Sequence, residues 1–248
     1  MKTKISHLLP ALMLFLVFAS CARVSSAFSG HNPEEYGQMT TQARPAADIT
    51  DINIARGITL VYTQSDTPSI QVEAPENLID KVITNISGRK LTATISDEIR
   101  NVDFRVIVRV SAPMLTNFDI SSGASLQVES LRASSNAVNV DVSSGASAGF
   151  SQLIAGAVSV DVSSGASANV SGIEAGSIDA EASSGASLSV SGTATSGKFD
   201  ASSGATINAS RLAVKTANAE ASSGASVRCN AQSLTRCKAT SGGSIDNK

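Results

Sequence analysis

Four residues before a recurring glycine the chain places an acid six times, as Asp119, Asp141, Asp161, Glu181, Asp200 and Glu220, and then Lys238. Carboxylates repeated at one position of a stacked repeat line up as a strip, and three kinds of chemistry are open to a strip. It can hold calcium, which takes six to eight oxygens and would need many waters here. It can dock a basic partner. It can also do no more than solvate a face, because like charges ~5 Å apart repel by under ~1 kcal/mol in water and by less in salt. The serines two before the glycine, Ser121, Ser143, Ser163, Ser183, Ser202 and Ser222, belong to the same outward face. A flat hydroxyl-rich wall suits carbohydrate contact or plain solubility. A melting temperature that moves with millimolar calcium would separate the metal reading from the others.

The three cysteines carry two further expectations. Cys229 lies five after one glycine and Cys237 five before the next, so both are expected to point into the last coil. There they are either a disulfide, which an oxidising envelope favours, or two buried thiols. Cys21 follows Phe18-Ala19-Ser20, behind a basic start at Lys2 and Lys4 and an apolar run from Leu8 to Ala19. That run is too short to span a bilayer and reads as a signal-peptide core. With Cys21 directly behind it, the segment resembles a bacterial lipoprotein box, in which the thiol receives a diacylglycerol. Two or more acyl chains hold a protein stably on a membrane. Cleavage after Ser25-Ser26-Ala27 is the competing reading. The expected location is the cell envelope, as an outer-membrane lipoprotein attached through its N-terminal lipid.

Catalytic constellations are sparse. The only histidines are His7 and His31, both ahead of the repeats, which removes Ser-His-Asp chemistry and most zinc sites from the repeat region. The glycines recur by coil and do not form a phosphate loop between a strand and a helix. Paired carboxylates alone can cleave glycosides, so a polysaccharide-acting hydrolase or lyase is the alternative to a binding protein. A uniform acidic column offers no differently set acid, and the expectation is a protein that is not an enzyme and has no cofactor. The net charge of −2 speaks against a nucleic-acid partner.

These residues are positioned by a repeat. Its glycines are Gly123, Gly145, Gly165, Gly185, Gly204, Gly224 and Gly242, spaced 22, 20, 20, 19, 20 and 18 apart. Three before, five before and three after each glycine stand apolar residues, such as Val162, Val160 and Ala168 around Gly165, with polar residues between. Period two means strand, one face in and one face out. By that parity the second serine and the alanine of SSGAS point inward, the serine needing an internal hydrogen-bond partner, while the glycine makes a bend. A further inward residue is expected eight past the glycine, at Leu131, Leu153, Ile173 and Leu212. No coil can bury its apolar face alone, so coils must stack. The expected fold is all-β, a right-handed parallel β-helix (β-solenoid) of about seven coils with a period near 20 residues and an N-terminal capping insertion containing a hairpin.

The expected boundaries are residues 1–21 for the signal peptide, 22–47 for a flexible tether and 48–248 for the solenoid, divided into a divergent first coil and cap (48–117) and the repeats (118–248). Arg56-Gly57-Ile58 stands where Ser-Gly-Ala would stand in the first coil. PENLID reads as one helical turn, VITNI and LTATI as a hairpin, and FRVIVRVSAP as a strand leading into the repeats. The insertion is expected to cover strand edges that would otherwise aggregate.

Repeated Ser-Gly-Ala coils joined to the lead-in RGITLVYTQ and the following ENLIDKV resemble the family called putative auto-transporter adhesin, head GIN domain, over residues 49–245. Thr59 departs from its Gly-Ile-Asn signature. The resemblance implies an exported β-helical protein of Gram-negative envelopes, and the family's name implies adhesion; the expected function is a structural or adhesive binding surface, with a glycan or an envelope protein as its partner. It brings no catalytic residues.

Overall fold

A chain that alternates apolar and polar residues around a periodic glycine can dry its apolar face only against another copy of itself. The computed structural model describes residues 37–100 and 104–248. The leader, Cys21, His31 and the first part of the expected tether lie outside those residues. All sixteen described strands belong to one hydrogen-bonded sheet. From β8 (Asn117–Ile120), β9 (Ser125–Arg132) and β10 (Ala137–Val142) onward, each coil lies parallel on the one before. The long strands β11 (Ser147–Val162), β12 (Ser167–Ala182), β13 (Ser187–Ala201), β14 (Thr206–Ala221) and β15 (Ser226–Ala239) continue the stack to β16 (Ser244–Asn247). Within β11 the buried alternation slips phase at Ser151–Gln152 and at Gly156–Ala157. Each slip turns the chain, so one coil has three flanks.

The Ser-Gly pair is the remaining corner. Ser164 has φ 53° and Gly165 φ 70°, and the Ala166 N–H donates to the Ser163 carbonyl at 3.1 Å. This is the geometry of a type I′ turn, which ordinarily closes a hairpin. Here the strands leaving the turn pair with neighbouring coils instead. The corners are tied together by one repeated bond: each glycine N–H donates to the second-serine carbonyl of the next coil, at 3.0–3.2 Å from Gly57 through Gly224. Arg56 (φ 61°) and Gly57 (φ 72°) occupy the first corner, as the sequence suggests.

The turn corrects one expectation. Two successive left-handed residues reset the strand parity, so the second serines, Ser122 through Ser223, are exposed and do not point inward. The core needs no serine ladder. Among the described residues no polar or charged side chain is buried, apart from the Tyr62 phenol, which donates to the Ala112 carbonyl at 3.0 Å. The aliphatic columns stand as expected: Leu131, Leu153, Ile173 and Leu212 are all at 0% exposure. Phe118 packs edge-on against Phe150 at 5.2 Å and against Tyr62 at 6.3 Å in the interior of the first coils.

The N-terminal region prolongs the flanks. β2 (Asp51–Ile54) and β3 (Thr59–Gln64) run parallel to β8 and β9 as a first coil. On one flank β6 (Lys90–Ile95) adds in parallel to β2, and β5 (Val82–Ser87) closes the expected hairpin with it. On the other, β7 (Ile107–Ala112) adds to β3, and β4 (Ser69–Pro75) and then β1 (Met39–Arg44) follow antiparallel. β1 falls inside the segment read as tether. Its Arg44 guanidinium donates to the Ile79 carbonyl at 2.9 Å, pinning the short 3₁₀ turn Ile79–Lys81, which starts inside PENLID and ends one residue past it. The covering is therefore done by added strands, and the edges at this end are β1 and β5.

Candidate functional site

Parallel, in-register stacking turns a residue position into a line. Asp119, Asp141, Asp161, Glu181, Asp200 and Glu220 are consecutive register partners, with Asn53 before them and Lys238 after. The acidic column of the sequence is thus one continuous strip, half-buried to exposed. Partners reach the strip at Asp119, Glu181 and Glu220 and leave Asp141, Asp161 and Asp200 without an ion pair among the described residues. Asn53 Nδ2 donates to Asp119 Oδ2 at 2.6 Å. Lys198 Nζ meets Asp179 at 3.2 Å and also pairs with Glu181, and Arg236 Nε meets Glu220 at 2.8 Å. Partial burial against the wall, and then the charge of the next acid in the column, holds the carboxyls of Asp141, Asp161 and Asp200 above the usual range.

Beside the strip runs a second outward column two residues earlier, which the sequence reading passed over. Asn117 donates to Asp51, and Asn139 Nδ2 donates to Asn117 Oδ1 at 2.8 Å. The signal was available, because asparagine recurs six before Gly123 and Gly145. The first serines, Ser121 through Ser222, stand half-buried next to the strip, between it and the corner. Across the corner Ser125 and Ser147 share a hydrogen bond at 2.7 Å. Two open hollows of 490 and 570 Å³ lie on the flank after the corner, around Gln127, Glu129, Gly149 and Ser151 and around Gln64, Arg132 and Gln152. Among the described residues no cluster of three or more His, Cys, Asp or Glu is arranged to hold a metal ion. A single file of carboxylates offers a cation two neighbours at a time and no surrounding cage.

The cysteines part company. Cys229 is buried at 1% exposure, with its thiol toward the Asn247 carboxamide oxygen at 3.4 Å, while Cys237 is exposed. Both are free thiols in this structure. Cys237 does stand in an inward column, as the register partner of Ala219. No described coil follows it, so the position that is interior elsewhere is open to solvent here. Burial, followed by the nearby Cys237 and Asp246, pushes the Cys229 thiol up.

The described flanks are walls of lines with open hollows. The family described as putative auto-transporter adhesin, head GIN domain, matches residues 48–248. The chain belongs to that family. The GIN domain here has the fold of several solved structures. One is described as a putative adhesin from Parabacteroides distasonis, at 20% identity and TM-score 0.72, covering 86% of this chain and 98% of that one. A second putative adhesin, from Parabacteroides merdae, gives 18%, 0.73, 86% and 97%. A structure described as a putative lipid binding protein from Parabacteroides distasonis gives 15%, 0.70, 86% and 97%. Identities this low make the GIN domain a shared fold and no more. Comparison with curated proteins finds no match.

Proposed function

We propose that the protein is exported to the cell envelope, anchored there by lipid on Cys21, and that its solenoid is a binding wall for a glycan or an envelope protein. The observation that supports this most is the in-register acid strip from Asp119 to Glu220 with the first-serine column beside it. A ligand with its own repeat can meet the same donor and acceptor pattern at every rung, ~4.8 Å apart, without any enclosing pocket. Many weak, equivalent contacts suit adhesion, where affinity comes from number. The family's description points the same way.

The experiment is incubation of the protein with envelope and host glycans and with envelope extract. Retention without cleavage products is the expected result. Cleavage would overturn the reading in favour of a polysaccharide-acting enzyme. The anchor is tested separately: a lipoprotein signal peptidase inhibitor should cause a longer precursor to accumulate, and an unchanged mature band would remove Cys21 from the proposal.

A further inference from the structure

We propose that the basic C-terminal rungs of the solenoid dock on an anionic lipid bilayer surface. The inference rests on the reading of the protein as a binding module and names a second face with its own partner.

Charge along the stack is strongly uneven. Residues 110–204 hold eight acids against Arg132 and Lys198, a net −6. Residues 205–248 hold Arg211, Lys215, Arg228, Arg236, Lys238 and Lys248 against Glu220 and Asp246, a net +4. All six cations are exposed, and they come from different flanks of the last coils. Arg236 is held by Glu220, and Arg228 is the register partner of Asp246. Arg211, Lys215, Lys238 and Lys248 make no ion pair among the described residues. The result is a collar around one end.

Cations placed only to spoil strand addition need to stand on the edge strand itself. Lys215 lies on β14, one rung behind the edge that β15 forms on that flank, and Arg211 lies in the stretch 209–212 of β14 that has no register partner on β15, so the collar is deeper than edge protection requires. Inside it the interior opens. Cys237 and Ala239 are exposed in columns buried elsewhere, and Leu234 and Ile245 are half-buried. An apolar centre ringed by cations matches a bilayer interface, where headgroup charge surrounds accessible acyl surface. A carbohydrate partner is less suited to this end, because residues 205–248 contain no aromatic ring on which a sugar could stack.

The test uses the full chain in flotation with vesicles of phosphatidylcholine alone or with about 30 mol % phosphatidylglycerol, at about 0.1 M salt. The N-terminal stretch, with Lys2 and Lys4 ahead of its apolar run, contributes to both vesicle types and more to the anionic one, so the deciding readout is the loss in a C-terminal variant against an N-terminal control. The expected result is tighter binding to the anionic vesicles. The triple variant Lys215→Gln/Arg228→Gln/Lys238→Gln should lose ~100-fold of it, at ~5-fold per cation. The pair Arg89→Gln/Lys90→Gln, at the other end, should lose none. Unchanged melting temperatures confirm that these exposed substitutions leave the fold intact. Equal binding to both vesicle types, an unaffected triple variant, or equal loss in the control pair would each overturn the proposal. So would salt-sensitive oligomers that form without vesicles and dissolve in the triple variant, since a second copy would then be the partner. Tighter binding to heparin than to the vesicles would overturn it in favour of an anionic polysaccharide. Should it fail while retention on glycans or envelope extract persists, the binding-wall reading stands without it.

Discussion

Gly165 and Gly192 both adopt positive φ, but they answer to different constraints. At Gly165 (φ +70°) a Cβ would meet nothing within 4 Å, so the position asks only for left-handed backbone. Gly165→Ala should cost about 1–2 kcal/mol, the ordinary penalty of that region for an L-residue. At Gly192 (φ +129°) a Cβ would stand 2.2 Å from the Ile173 carbonyl oxygen of the previous coil. Gly192→Ala must push two rungs apart, and it should cost more, about 3 kcal/mol once overpacking is added. Urea midpoints of the two variants check the order, and equal costs would remove the close-approach argument. Ser164 pays the left-handed penalty with a side chain in place. Ser164→Asn should be neutral or slightly stabilising, because asparagine tolerates that region better.

At the scale of the strand and its column, like charge is what distinguishes the acidic strip. A carboxyl whose folded-state pKa lies above its unfolded value binds its proton more tightly when folded. Stability therefore rises as pH falls through the folded value, and the gain is complete below the ordinary ~3.9 of a free aspartate. Asp141 is raised in this sense, by partial burial first and then by the charges of Asp161 and Asp119 beside it in the column. Glu98 works in the opposite direction, held below its usual range by Lys81 on the exposed N-terminal surface. Asp141→Asn should raise the unfolding free energy at neutral pH, read from the urea midpoint, by under ~1 kcal/mol, the scale of exposed charge pairs, and should shrink the gain on acidification. A variant less stable than the wild type at pH 7 would contradict it. The column itself is legible in the sequence, because a fixed offset from a periodic glycine becomes a line once strands are parallel and in register. The corner is not. Parity counting assumes one extended residue after another, and Ser122–Gly123 breaks that assumption twice in succession. The exposure of Cys237 was hidden for a related reason: the repeat specifies which way a residue points, and only the stack specifies whether anything is there to cover it. The basic collar shares no repeat offset, so nothing in the sequence pattern draws Arg211, Lys215 and Lys238 together.

At the largest scale, the coils form a one-dimensional stack in which each is hydrogen-bonded only to its neighbours, and the effect of a core substitution depends on where along the axis it falls. Leu153, at 0% exposure with Leu131 and Ile173 as register neighbours, has apolar contacts on both sides. Leu153→Ala should cost about 2–5 kcal/mol. Ile245→Ala, at the half-buried last rung, should cost well under that, because its site is already partly wet. Equal costs measured by urea unfolding would mean that the ends are as closed as the middle. Nine consecutive residues, Val140–Ala148, are repeated letter for letter as Val160–Ala168, and they are partners in the stack. A chain lacking 149–168 would carry Ala148 straight into Asn169 with every inward column intact, leaving a molecule ~4.8 Å shorter and of unchanged cross-section. Reach and girth are thus independent properties of this scaffold, and whole coils are the increments by which its length could be gained or lost.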